Sequence, residues 1–255
     1  MGIRKSMKKL GLLLGLCIFF LSGCRQRNDN DVINKMYVTL EEIKEEGSNL
    51  DSVYQESVLL EYDFQMPQVG RISGQAAEKI GKWQAEELEI FRKELEMRTL
   101  EADSDCQERK SDPDEEKRGW GVPCIYSVNY SVFQDADMTS FLKAEYQYYS
   151  GGAHGTTSHF GTVFDSNTGE RMTLDDFLGE EEGGREKLAR YLIDQLDGES
   201  LWDDYQEVIM DKLANNPEFY VEEDSLVFLF DQYELASYAN GPFFLKVPLK
   251  ELSGK

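Results

Sequence analysis

Residues 146–165 read Tyr-Gln-Tyr-Tyr-Ser-Gly-Gly-Ala-His-Gly-Thr-Thr-Ser-His-Phe-Gly-Thr-Val-Phe-Asp, two alternating, aromatic-rich runs on either side of a glycine-rich bend. Period-two alternation is the pattern of a strand, and Gly151, Gly152 and Gly155 supply the backbone freedom that a tight reversal needs. The stretch predicts two antiparallel strands whose connection carries His154 at its tip. His159 lies just beyond it, and the chain has no other histidine.

The flanking segments extend this into a sheet. Residues 122–132 alternate Val122, Cys124, Tyr126, Val128, Tyr130 and Val132 against smaller or polar residues, and Ser166-Asn167-Thr168-Gly169 is a turn that returns the chain through residues 170–174. Consecutive strands with short connections imply an antiparallel meander. Upstream, residues 53–66 are strand-like. From 73 onward, Ala76, Ala77, Ile80, Trp83, Leu88, Phe91 and Leu95 follow helical spacing. Residues 101–119 hold almost no large apolar side chain and read as a solvated loop at a seam. Downstream, Thr173-Leu174-Asp175-Asp176 opens a helix, 185–196 and 201–214 continue as helices, 219–221 and 226–230 form a hairpin, 233–239 is short and helix-like, and 243–247 is a last strand. The expected fold class is α+β, an antiparallel sheet meander with packed helices in two small subdomains, 53–118 and 119–255.

The first 23 residues combine Arg4, Lys5, Lys8 and Lys9 with an apolar run at 10–20 and Leu21-Ser22-Gly23 before Cys24, the layout of a secretory signal. The run is shorter than the about 20 residues of a permanent span. A cysteine at this position is similar to the bacterial lipoprotein signal, so Cys24 is the expected lipidation site and the outer face of a membrane the expected location. Polar residues 24–52 then read as a tether. Loss of 1–23 removes four positive charges and takes the net charge from −22 to −26. Such a chain disfavours nucleic acid and favours a basic protein or cationic ligand, although solubility alone also accounts for the charge. Cys106 and Cys124 remain, either as one disulfide or as two free thiols.

His154 among glycines suits a binding contact, a general base, or a turn in which the imidazole bonds a nearby carbonyl. Tyr148, Tyr149, Gly151, Gly152 and His154 are the candidate ligand-binding residues. A metal site would have to draw on His154, His159 and Asp165, too few donors with the histidines an odd number apart, so neither metal nor cofactor is expected. Ser150 and Ser158 lack a nucleophile-elbow motif. Asp175-Asp176 and Asp203-Asp204 fit helix starts and solvated faces better than paired catalytic acids.

The block from Tyr146 to His154, Phe164-Asp165, Thr168-Gly169-Glu170 and Leu174-Asp175-Asp176-Phe177, with the late run Leu226-Val-Phe-Leu-Phe-Asp-Gln-Tyr-Glu-Leu-Ala-Ser-Tyr-Ala-Asn-Gly-Pro242, resembles the exported domain of unknown function found in lysozyme-sensing anti-sigma factors and some peptidoglycan deacetylases. Residues 59–100 look like the companion domain that usually precedes it. The resemblance implies an extracytoplasmic module that senses or binds lysozyme-like proteins or cell-wall ligands. These 255 residues carry neither a sigma-binding segment nor a deacetylase domain, so it implies the module rather than either activity. The expectation is a surface-anchored, non-catalytic binding or sensing domain. The alternatives are an envelope-polymer-acting enzyme centred on His154 and a structural accessory of an envelope complex.

Overall fold

The computed structural model describes residues 60–67, 69–70, 72, 74–110, 124–179, 182–215 and 217–252, together with short strand pieces at 35–37, 53–54 and 57–58. The signal segment 1–23, Cys24 and most of the tether lie outside the described residues, and residues 33–255 form one compact unit.

The elements in chain order are β1 (Lys35–Tyr37), β2 (Val53–Tyr54), β3 (Ser57–Val58), β4 (Leu60–Pro67), α1 (Gly74–Lys110), β5 (Cys124–Gln134), β6 (Met138–Tyr148), β7 (Thr156–Asp165), β8 (Arg171–Met172), α2 (Leu174–Leu178), α3 (Gly184–Ile193), α4 (Tyr205–Ala214), β9 (Phe219–Glu222), β10 (Ser225–Phe230) and β11 (Phe243–Pro248). The main sheet runs β1-β4-β5-β6-β7-β8, and a second sheet runs β11-β10-β9. The fold is α+β, and β5 to β8 form the expected antiparallel meander. One pairing was not anticipated. β4 lies parallel to β5, Leu60 opposite Cys124 and Gln65 opposite Asn129, because parallel neighbours need a long crossover and α1 provides it. The expected boundary at 118/119 falls outside the described residues, while strands from both sides of it share this sheet.

α1 corrects the loop reading for residues 101–110, while 111–119 lie outside the described residues. The helix continues to Lys110. Its buried stripe is Ala76, Ile80, Phe91 and Leu95, then Thr99 and Ala102, so small residues carry the contact where large ones end. Extending a nucleated helix costs little per residue. The stripe covers one face of the main sheet, with Phe91 stacked on Tyr126 at 5.3 Å and Trp83 wedged against Phe141 at 4.6 Å.

The second sheet packs on the opposite face. β10 is buried along Leu226, Val227, Phe228, Leu229 and Phe230. Val227 and Leu229 meet Leu142 and Phe133 of the main sheet, while Leu226, Phe228 and Phe230 join Leu188, Leu192, Ile209 and Leu213 of α3 and α4. That burial on both faces explains a continuous apolar run where a half-exposed strand would alternate. Gly161 marks a close approach between the sheets: a Cβ there would fall on the Phe219 backbone carbonyl. Nearby, Val221 N donates to Ser140 Oγ across the layers at 2.7 Å.

The helix at Thr173 forms as expected, the Asp176 carboxylate accepting from Thr173 N at 2.6 Å and Thr173 Oγ1 at 2.8 Å. Of the helix-like segment 233–239, only a single turn of 3-10 helix at Tyr238–Asn240 forms. Cys124 is a buried free thiol rather than half of a bridge with Cys106, and its Sγ accepts from Ser150 N at 3.4 Å. The side chain of Cys106 lies outside the described residues.

Candidate functional site

The bend between β6 and β7 is built by its glycines and closed over by tyrosines. Gly152 N donates to Tyr149 O at 2.9 Å, closing a turn in which Gly151 takes φ +83°. The Tyr148 hydroxyl donates to Gly152 O at 3.2 Å. Gly155 lies against the Tyr146 ring, and a side chain there would have to displace that ring.

His154 is exposed, and its aromatic partners come from 79 and 84 residues later in the chain. Its ring stacks on Tyr238, centroids 3.7 Å apart and planes 23° from parallel. Nδ1 lies 3.1 Å from Gly155 O, and Nε2 lies 3.2 Å from the Tyr233 hydroxyl. A carbonyl only accepts, so in the neutral ring Nδ1 carries the hydrogen and Nε2 accepts from Tyr233. The Tyr238 hydroxyl donates to the same Gly155 carbonyl at 3.0 Å.

Tyr233 is the strained member. Its φ is +71°, a conformation that non-glycine residues rarely hold, and half of its surface is exposed. The surrounding backbone holds it there. Trp202 Nε1 donates to Tyr233 O at 3.1 Å and Trp202 N to Leu235 O at 2.8 Å. Glu234 accepts from Asp231 N at 2.7 Å and binds Lys212 Nζ through both oxygens at 2.6 and 2.8 Å. On the other side Gln232 accepts from Thr157 N at 3.3 Å. A loop tied at both flanks can keep a backbone conformation costing about 1–3 kcal/mol.

His159 takes a different role. Its Nδ1 donates to Asp231 Oδ1 at 2.7 Å and its backbone N to the same carboxylate at 3.1 Å, with the ring edge-on to Phe244 at 5.0 Å. Its side chain is only 11 % exposed, so this dyad ties β7 to the loop that presents Tyr233. Asp165 stays apart from both histidines, its Oδ1 accepting from Asn167 N, Thr168 N and Thr168 Oγ1. The Thr168 N–H holds its carboxyl below the usual carboxylate range.

Of the five candidate residues, Tyr148, Gly151, Gly152 and His154 gather at the bend. Tyr149 turns to the α1 side, where Arg98 donates to its hydroxyl at 3.2 Å. Asp203 and Asp204 are exposed before α4, and Asp175 pairs with Arg185 at 2.7 Å. Reasoning from local sequence missed Tyr233, Tyr238 and Trp202 because no local pattern links residue 154 to residue 233. Their one signal is two tyrosines in a loop that ends at Asn240-Gly241-Pro242.

These features define an α+β domain with an aromatic face at one end of its main sheet. Residues 175–250 match a family described as a protein of unknown function, DUF3298, and this segment includes Tyr233 and Tyr238 but not the bend. Among solved structures, a DUF3298 family protein from Pseudomonas aeruginosa PAO1 is similar at 16 % identity and a TM-score of 0.50, over 88 % of this chain and 94 % of that one. A DUF3298 family member from Bacteroides fragilis NCTC 9343 is 18 % identical with a TM-score of 0.45, over 75 % and 82 %. No curated protein matches the chain.

Proposed function

We propose that this chain is a non-catalytic extracytoplasmic binding or sensing domain, held at the outer face of a membrane by lipid on Cys24, whose ligand docks on the face formed by Tyr233, His154 and Tyr238. The observation that carries the reading is Tyr233 itself: a half-exposed aromatic ring in a strained conformation, fixed by hydrogen bonds on both flanks. Strain kept in an over-determined surface loop is a mark of function, and a rigid tyrosine loses little entropy when it binds. Lysozyme-like basic proteins lead among ligands, ahead of cell-wall fragments. The net charge, −22 for the full sequence and −26 without residues 1–23, steers cations toward the domain, and aromatic faces accept Arg and Lys side chains.

A binding role also suits His154 better than catalysis does. Its ring nitrogens are engaged by a carbonyl and a phenol, and among the described residues no carboxylate orients it as a base. Calorimetric titration with a lysozyme at low and near-physiological salt tests the reading. Saturable one-to-one binding that persists at the higher salt and weakens at least tenfold in His154→Ala is expected. Heat that vanishes with modest salt, or turnover of muropeptides by the protein, contradicts it.

A further inference from the structure

On the α1 side of the main sheet, away from the bend, lies a cleft of about 140 Å³. Its floor is aromatic: Trp83 of α1 lies against Phe141 of β6, and Tyr130 meets Trp83 edge-on at 6.1 Å. Phe160 stands at the rim, 40 % exposed although it sits in the middle of a sheet strand.

The charged groups lining this cleft fall into two sets. The first is already paired. Glu87 accepts from the Tyr130 hydroxyl at 2.5 Å and lies 3.5 Å from Lys143 Nζ, and Lys143 reaches Glu145 at 3.3 Å. Burial and the Glu87 carboxylate both push the Tyr130 hydroxyl well above its usual range, so it stays protonated as a donor. The second set is Arg171 and Glu218. The Arg171 guanidinium has no hydrogen bond or ion pair among the described residues, leaving all five of its donors open. Glu218 uses one oxygen to accept from Gly161 N at 2.9 Å, and its other oxygen has no partner among the described residues.

We infer that this cleft binds a small zwitterion of the α-amino acid class. One open cation and one open carboxylate line the same concavity, and their complement is a ligand bearing one anionic and one cationic group on a short frame. Arg171 takes the ligand carboxylate, for which its planar fork is the matching geometry. Glu218 takes the ammonium, and the Trp83–Phe141 floor and Phe160 rim take an apolar side chain. The volume lies below the about 300–1,000 Å³ typical of sites for drug-sized ligands, which limits the occupant to about the size of one amino acid. The inference rests on the cleft alone and is independent of the role given to Tyr233.

Calorimetric titration of the full chain with L-leucine, D-leucine, L-phenylalanine, D-alanine and L-leucinamide tests it, with Arg171→Met and Glu218→Gln alongside. Arg171 is exposed, so its replacement leaves the fold intact, which an unchanged melting temperature verifies. The expected result is saturable binding of at least one free amino acid, with leucinamide and the Arg171→Met protein each at least tenfold weaker. Three results would each overturn the inference: no saturable binding by any probe at 10-millimolar order, leucinamide binding as well as leucine, or full affinity retained by Arg171→Met.

Discussion

The Tyr233 hydroxyl meets Nε2 of His154 at 3.2 Å, joining a loop of the second sheet to the bend of the first. Both rings lie beside Tyr238, Tyr233 at 5.7 Å and His154 at 3.7 Å between centroids. A ligand that covers this face therefore touches both halves of the fold.

If the Tyr233 backbone is strained, glycine should relieve it. Tyr233→Gly removes a left-handed non-glycine residue worth about 1–3 kcal/mol of strain and loses a partly exposed ring contact of about 1 kcal/mol. Its stability, read by urea denaturation, should stay within about 1 kcal/mol of the parent. A loss of about 3 kcal/mol, the usual result of truncating a buried aromatic residue, would mean that the ring is structural.

Gly161 sets the spacing of the two sheets. Gly161→Ala places a methyl against the Phe219 backbone carbonyl, which cannot move without shifting β9. Overpacking between rigid layers should cost about 3 kcal/mol, measured by chemical denaturation. Gly70→Ala, with open space around its Cβ, is the control and should be near neutral.

The Asp231 carboxylate carries three contacts to His159, two from its backbone N and one from its ring. Asp231→Ala leaves a partly buried N–H and an imidazole without their acceptor and should destabilise by about 2 kcal/mol. Asp231→Asn, which keeps one acceptor oxygen, should fall between.

Asp165 gives a pH signature. Its carboxyl is held below its ordinary value, chiefly by the Thr168 N–H. The contribution is therefore full above the unfolded value near pH 4 and is lost as pH falls through the lower folded value. Asp165→Ala should melt below the parent at pH 7, and the difference should shrink as pH falls through the lowered folded value. A constant difference across that range would assign the effect to the turn backbone instead.

The meander was legible in the sequence because each strand alternates and each connection carries turn residues, as at Ser166-Asn167-Thr168-Gly169. The parallel β4–β5 pair was not, since alternation gives a strand's faces but not its neighbour. The continuation of α1 beyond residue 100 was hidden because Thr99 and Ala102 bury the face that larger residues mark elsewhere. The odd spacing of His154 and His159 implied opposite sides of a strand, but His154 sits in the bend, so both histidines reach residues 231–244. The half of the site at Tyr233 and Tyr238 depends on a long-range contact that no local pattern encodes.

The measurement that bears most directly on the central claim is the affinity of a lysozyme for Tyr233→Gly and Tyr233→Phe at near-physiological salt, taken beside their melting curves. A binding face centred on a preorganised ring predicts that Tyr233→Gly melts with the parent yet binds at least tenfold more weakly, while Tyr233→Phe keeps most of the affinity. Parent-like binding by a well-folded Tyr233→Gly protein would contradict the account and move the ligand away from the Tyr233–His154 face.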